Sequence, residues 1–362
     1  MAKTYTLAII GCGKVAHLHA KAIGNLPNAK LAAVWSRTRS SAEKFAAAYN
    51  AKPYSDIGQM IRENGIDFAI ICNPHPYHKD VAVEAARAGA NILIEKPLAS
   101  SLEDCDAIIA ACRQSGVQLG VISQRRWYAP VQRVYQAIRD GKIGTPALGT
   151  VNMLGWRDQK YYNSDPWRGT WDMEGGGVLV NQSPHQLDIL LWLMGEVDEV
   201  YGVWRNLNHP YIEVDDTALA IIKFKNGGIG NIIVSNSQKP GIYCKVQIHG
   251  SNGASVGVQT DGGAMFIAGA SSVLEPPVND LWTIPGEEHL LQEWIREDSA
   301  EFERIDATIY YFGLQIKEFL QALDEGRPPF VTGEDGRRVV ELFSAIYRST
   351  RENAPVRFPI TN

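Results

Sequence analysis

Two stretches of this chain bring together residue types that can do chemistry. The first runs Glu174-Gly175-Gly176-Gly177-Val178-Leu179-Val180-Asn181-Gln182-Ser183-Pro184-His185-Gln186-Leu187-Asp188. Residues four apart share a helix face, so Asn181 and His185 are expected to point into one space. Leu179, Val180, Leu187, Ile189, Leu190 and Leu191 would anchor the other faces. An imidazole near its reference pKa of about 6.5 can accept a hydroxyl proton, and the amide can hold the substrate in place. The three glycines admit close approach of another backbone or of a flat ligand ring. Ser183-Pro184-His185-Gln186 also reads as a helix start, with a Ser cap, Pro in the first turn and Gln at the capping-box position. The helix therefore kinks at Pro184, or two helices abut there. The competing reading is a buried amphipathic helix with two satisfied polar residues.

The second stretch is Gly11-Cys12-Gly13-Lys14-Val15-Ala16, which fits the dinucleotide fingerprint G-x-G-x-x-G/A. It follows a predicted strand and opens a predicted helix, so Gly11, Cys12, Gly13, Lys14 and Val15 are expected to meet a pyrophosphate at the helix N-terminus. An NAD site commonly has Asp or Glu about 20 residues further on. Here that region reads Val34-Trp35-Ser36-Arg37-Thr38-Arg39, with no carboxylate. A hydroxyl from Ser36 and a guanidinium from Arg37 suit a 2′-phosphate, which favours NADP over NAD. The alternative is that Arg37 only stacks on adenine and NAD is used.

Two further loops lead from strand ends to the same predicted edge. Glu95-Lys96-Pro97 places Lys96 where it can hydrogen-bond a substrate hydroxyl and stabilise developing alkoxide charge, with Glu95 on the cofactor side. A cis Lys96–Pro97 bond would fix that geometry, and a plain surface turn is the alternative. In Asn73-Pro74-His75-Pro76-Tyr77-His78, Asn73 and Pro74 are expected to shape the cofactor loop while His78 caps its helix. The histidine pair has no acidic or thiol partner nearby, and the five cysteines form no CxxC, so no metal is expected.

The elements that must position these residues follow from periodicity. Up to residue 123, short apolar runs alternate with helical patterns, as in βαβ units, with strands at Thr6–Ile10, Lys30–Trp35, Phe68–Cys72, Asn91–Ile94 and Val117–Val121. From 124 to 362 the pattern changes to an α+β domain with a large open, mainly antiparallel sheet. Its strands include Ala147–Met153, Ala218–Phe224, Ile229–Val234 and Lys245–Gly250, with Asn226-Gly227-Gly228 as a hairpin signal. Residues Asp261 to Glu303 read as a long insertion, and helices over Thr308–Leu323 and Gly333–Thr350 finish the chain. The fold class is thus α/β, a dinucleotide-binding domain over 1–123 followed by a substrate-binding and oligomerisation domain over 124–362.

Composition narrows the function classes. A chain of 362 residues with 45% apolar and 21% charged residues is ordinary for a globular protein of about two domains. A formal net charge of −5 with no basic run argues against nucleic acid or an anionic membrane surface. No run approaches the roughly 18 apolar residues of a membrane span, and the N-terminal run is too short for a signal peptide, so a cytoplasmic protein is expected.

Taken in order, Gly11-Cys12-Gly13, Asn73-Pro74 with His78, Glu95-Lys96-Pro97, and Gly175-Gly176-Gly177 with Asn181, His185 and Asp188 resemble the Gfo/Idh/MocA family over essentially the whole chain. The resemblance implies a nicotinamide-dependent oxidoreductase acting on a ring hydroxyl or ketone of a sugar, sugar derivative or inositol. It also implies that Lys96 and His185 are the catalytic pair, with Asn181 beside them where inositol-dehydrogenase-like members usually carry Asp. His185 is then the base and Lys96 the polarising group, or the reverse. Aromatic residues beside Arg, Gln and Asp suit polyhydroxylated rings, so Arg126, Trp156, Arg157, Tyr162 and Trp167 are expected to bind substrate alongside Lys96, Asn181 and His185, and Gln124 to meet the cofactor. Arg157 could equally pair with a substrate carboxylate or phosphate. The rivals are a glycosidase of the same fold using bound NAD for transient oxidation at C3, and a non-catalytic NAD(P)-binding sugar sensor. Strands with one apolar and one mixed face, such as Leu219 and Ile221 beside Lys223, predict a homodimer or homotetramer.

Overall fold

The computed structural model describes residues 3–239, 241, 243–260 and 275–360. The chain divides into two compact units, Met1–Gln124 with Ala307–Val340 and Arg125–Asp306 with Glu341–Asn362.

The first unit is built on six strands: β1 (Tyr5–Ile10), β2 (Ala29–Trp35), β3 (Lys52–Tyr54), β4 (Phe68–Ile71), β5 (Asn91–Ile94) and β6 (Leu119–Val121). They pair in parallel in the order β3-β2-β1-β4-β5-β6. Strand order reverses between β1 and β4, and such a switch point opens a crevice at the carboxyl ends of the strands. The loops carrying Gly11, Asn73 and Lys96 leave β1, β4 and β5 at that edge. β4 is buried at every position, as helices on both faces of a parallel sheet require. Local chemistry sets the helix ends: Asp56 accepts from the Gln59 amide at 2.5 Å, Ser101 accepts from the Asp104 amide at 3.1 Å, and Gly65 and Gly116 close their helices in the left-handed region.

The helix Tyr310–Glu325 belongs to this unit, whereas the sequence predicts a second domain running unbroken from 124 to the end. Its Phe312, Ile316, Phe319 and Leu320 join the core formed by Leu7, Ile9, Phe68 and Ile70. Burial of such side chains stabilises by about 1.5–3 kcal/mol each. Gln315 adds a polar tie, accepting from the Ser123 amide at 3.0 Å and donating to the Val121 carbonyl at 2.8 Å. An amphipathic period reveals that a helix has an apolar face, not which core receives it.

The second unit contains β7 (Pro146–Leu154), β8 (Val197–Arg205), β9 (Thr217–Phe224), β10 (Ile229–Ser235), β11 (Tyr243–Gly250), β12 (Ser255–Gln259), β13 (Val278–Trp282) and β14 (Val356–Arg357). Their order is β13-β12-β11-β7-β10-β9-β8-β14, antiparallel except for the β7–β10 pair. Alternation in β9 turns Ala218, Ala220, Ile222 and Phe224 inward and leaves Leu219 and Ile221 exposed. The predicted hairpin turn is present, with Gly227 at φ +86° and the Asn226 side chain accepting from the Gly228 amide.

The predicted insertion after Asp261 departs from expectation. Residues 261–274 lie outside the described residues, but β13 and the helix Leu290–Arg304 occupy the remainder. That helix is held partly by polar side chains, and the residue it buries most fully is a carboxylate, so it does not read as a core helix. Asp298 is buried against Arg133 in a two-point ion pair, and Trp294 packs edge-on against Trp282 at 4.8 Å. No helix among the described residues is long and apolar enough to cross a membrane.

Candidate active site

In the first unit, Gly11 has φ +98°, and a Cβ there would collide with the Asn73 backbone. Only glycine lets the loops after β1 and β4 meet. Gly13 precedes the helix Lys14–Gly24, no side chain caps that helix, and a Cβ on Gly13 would meet nothing within 4 Å. Together these leave an open, electropositive helix start of the kind that holds a pyrophosphate. Lys14 is exposed beside it, while Val15 packs onto the core. Cys12 faces the Trp35 carbonyl, and burial pushes its thiol up to about 11, so it stays protonated at neutral pH.

Two buried acceptors at this edge have no hydrogen-bond partner among the described residues, Asn73 Oδ1 and Gln124 Oε1. Both residues are expected cofactor contacts, and orphaned acceptors of this kind fit a ligand rich in hydroxyl and amide donors. Ser36 and Arg37 follow β2 as expected, with the Arg37 guanidinium 5.3 Å from the centre of the Tyr77 ring.

Two expectations for this edge need correcting. His78 does not cap its helix but is the first residue of it. Its Nδ1 lies 3.1 Å from the Leu98 carbonyl and its Nε2 2.9 Å from the Asn73 carbonyl, so the ring ties the loop carrying Pro74 to the one carrying Pro97. Glu95 turns into the protein, 2.8 Å from His19 on the helix after the glycine loop, and accepts from the Lys96 amide. Burial alone would raise its carboxyl, but the hydrogen bond and charge of His19 outweigh burial and hold it below the ordinary value. It braces the cofactor loop from behind. Lys96 is partly buried and is followed by a cis Lys96–Pro97 bond.

In the second unit, Val178–Gln182 is a turn of π-helix and Pro184–Met194 is an α-helix, so two segments abut at Ser183. Wide turns of this sort are frequent at functional sites. Ser183 does not cap the second segment, since its hydroxyl donates to the Leu179 carbonyl. Asp215 caps the first segment instead, its buried carboxylate accepting from the Gly177 amide at 2.6 Å, the Leu179 amide at 3.1 Å and the Tyr347 hydroxyl at 2.6 Å. The glycines serve this packing: a Cβ on Gly177 would strike the Asp215 carbonyl, and one on Gly176 the Tyr347 hydroxyl. The close neighbour is therefore the protein's own chain, not a ligand ring.

Asn181 lies in the π turn and His185 in the first turn of the next helix, where it is nearly buried at 7% exposure. The Asn181 amide nitrogen donates to Glu174 Oε1 at 2.5 Å and to the Tyr161 hydroxyl at 3.3 Å. Glu174 also accepts from the Gly169 amide at 2.6 Å, and burial pushes its carboxyl up to about 7. The Tyr161 hydroxyl receives Gln182 at 2.8 Å and Arg168 at 2.6 Å, while Gln182 accepts from Asn236 at 2.9 Å. Glu174 and Gln182 were not among the expected site residues, and Tyr161 was expected only as part of the aromatic stretch from Trp156 to Tyr162. A carboxylate abutting three glycines was the available signal for Glu174.

The expected substrate residues divide. Trp156, Arg157 and Trp167 surround this network: Arg157 donates to the Trp156 carbonyl and stacks over Tyr161, and Arg168 lies between the Tyr161 and Trp167 rings. Tyr162 instead enters a small core with Ile212 and Val214, because neighbours on a one-turn helix face different ways and Tyr161 takes the polar side. Arg126 is turned onto Asp188 in a two-point buried ion pair, Nε to Oδ2 at 2.8 Å and Nη2 to Oδ1 at 2.6 Å, with Trp192 over its face. It braces the His185 helix.

Comparison with known proteins bears on the family and the fold. Residues 5–123 match the model of an oxidoreductase family with an NAD-binding Rossmann fold, and residues 131–256 match the GFO/IDH/MocA C-terminal domain. The chain is 27% identical to scyllo-inositol 2-dehydrogenase (NAD(+)) of Bacillus subtilis, over 98% of this chain and 96% of that protein. It is 25% identical to myo-inositol 2-dehydrogenase of Thermotoga maritima, over 97% and 98% of the two chains. Among solved structures, the WlbA dehydrogenase of Bordetella pertussis, in complex with NADH and UDP-GlcNAcA, superposes with a TM-score of 0.87 at 27% identity, covering 100% of this chain and 99% of that one. The chain belongs to the Gfo/Idh/MocA family and is an oxidoreductase with an NAD-binding Rossmann fold.

Proposed function

We propose that this enzyme interconverts a ring hydroxyl and the corresponding ketone of an inositol, a sugar or a sugar derivative. The observation that carries the reading is the partly buried polar network in which Asn181 and Gln182, just before the helix of His185, meet Glu174 and Tyr161, a lining suited to hydroxyl groups. The nicotinamide cofactor supplies the hydride acceptor or donor. His185 holds the hydroxyl proton during oxidation, Lys96 polarises the same oxygen, and Asn181 hydrogen-bonds the substrate. The reverse assignment, with Lys96 as the base, is the alternative.

Arg157, Arg168, Trp156 and Trp167 around Tyr161 extend the lining with cations and flat faces. They support a substrate carrying an anionic group, such as the nucleotide-linked uronate bound by the Bordetella pertussis relative. Ser36 and Arg37, with no carboxylate after β2, support use of NADP in preference to NAD. The outward face of the sheet, with Leu219, Ile221 and Ile229 at 48%, 63% and 53% exposure, supports a homodimer or homotetramer. The five free thiols suit the cytoplasm.

The test is a panel of inositols, hexoses and UDP-linked uronates with NAD and with NADP, read by nicotinamide absorbance. With the substrate so found, Lys96→Met and His185→Ala should each lower kcat by about 100-fold or more. Near wild-type turnover in both variants would refute the assignment.

A further inference from the structure

We propose that Glu174 is a positioning residue that fixes the orientation of the Asn181 side-chain amide, so that Asn181 meets a ligand as a hydrogen-bond acceptor through its oxygen. The inference rests on the proposed function only for what that ligand is, a hydroxyl donor.

An Asn side chain has chemically opposite ends, and the network around it decides which way it faces. Here the nitrogen has two hydrogens and two acceptors: Glu174 Oε1 at 2.5 Å and the Tyr161 hydroxyl oxygen at 3.3 Å. An ionised carboxylate only accepts. Reversing the amide would set the Asn181 oxygen against the Glu174 oxygen at that short separation and lose that bond, whereas the Tyr161 hydroxyl, which donates as well as accepts, suits either orientation. Glu174 cannot swing away to relieve such a clash, because its other oxygen is held by the Gly169 amide at 2.6 Å and the side chain is 1% exposed. Asn181 is likewise confined, on a π turn anchored by Asp215. The amide oxygen therefore points away from Glu174.

This orientation discriminates between the two forms of an alcohol–ketone pair. A hydroxyl can donate to the Asn181 oxygen, whereas a ketone oxygen can only accept. Protonating Glu174 removes the constraint, since a carboxylic acid can donate to the amide oxygen and tolerate the reversed side chain. The charged and titratable groups around Glu174 include Arg168 from the preceding segment, Tyr161 and Tyr162 from the one-turn helix, Asp215 from the strand side and Tyr347 from the C-terminal helix. Burial places the carboxyl at about 7, where the change of state falls in an accessible range.

The experiment reads the Asn181 side-chain 1H–15N signals of the full-length protein, assigned by their loss in Asn181→Asp, between pH about 5 and about 9. In wild type they should shift with one midpoint near 7, and in Glu174→Gln, with an unchanged circular dichroism spectrum, that shift should vanish. Signals that stay constant with pH in wild type, or titrate identically in folded Glu174→Gln, would overturn the proposal. Should Glu174→Gln not fold, Glu174→Asp takes its place: a displaced midpoint supports the role and an unmoved one refutes it. No substrate is present, so a chain that turns over none of the panel compounds would sink the proposed function and leave this result standing.

Discussion

Replacing Arg126 with Met separates two roles for that residue that cannot both dominate. The guanidinium makes two short bonds to Asp188, at 2.6 and 2.8 Å, and the two side chains are 3% and 7% exposed. Taking one partner from a buried pair of this kind leaves the other charge desolvated and costs about 3–5 kcal/mol. That is a large share of the roughly 5–15 kcal/mol by which folded proteins are stable. Loss of the Trp192 contact, with the guanidinium carbon 4.9 Å from the ring, adds to the cost. Removing both charges together, as in Arg126→Met/Asp188→Leu, should return stability to within about 1 kcal/mol of wild type, because no isolated charge remains. Urea unfolding followed by tryptophan fluorescence measures all three proteins. The double variant should also keep its substrate KM within a few fold. If Arg126→Met unfolds at the wild-type urea concentration and instead raises KM strongly, the guanidinium is a ligand contact and the structural reading of the pair is wrong.

Other outcomes follow from the same geometry. Burial raises the Glu174 carboxyl from 4.5 to about 7, so its favourable share of stability is complete below pH 4.5 and is lost as pH rises through about 7. The rise corresponds to about 3 kcal/mol. The unfolding free energy of Glu174→Gln relative to wild type should therefore improve by about that amount between pH about 5 and about 8, and a difference independent of pH would contradict it. Gly11→Ala should destabilise the protein by about 2 kcal/mol or more, since the backbone is left-handed and the methyl meets Asn73. Gly13→Ala should melt like wild type yet bind NAD(P)H at least about tenfold more weakly by fluorescence titration, and equal affinity would remove Gly13 from the phosphate cradle. The proposed oligomer predicts that Ile221→Glu, on the exposed face of β9, lowers the mass measured by light scattering; a wild-type monomer at micromolar concentration would refute the oligomer, and an unchanged mass would refute this face as its interface.

Residue types alone determined the parallel half of this protein. An apolar strand, a glycine turn and a helix in immediate succession have few alternatives, because only glycine tolerates the φ of Gly11 and only a bare helix start leaves the space beside Gly13. Asn181 and His185 stood out as polar residues four apart in a mostly apolar run, and Lys96 by its place after an apolar strand; their catalytic roles belong to the proposed function.

What the sequence did not disclose were contacts closed from far along the chain. Asp215 caps a turn some 36 residues upstream, Tyr347 occupies the space above Gly176, and the helix Tyr310–Glu325 returns to a core laid down by β1 and β4. Arg126 meets Asp188 across 62 residues, which turned an expected ligand contact into a brace. Tyr161 rather than Tyr162 faces the polar network because a single helical turn sets their directions apart. Local pattern specifies backbone conformation and which side of an element is apolar. The partner of a buried charge is chosen by tertiary packing, which alone decides what else must be desolvated with it, and so assigned Glu174 to the side chain of Asn181.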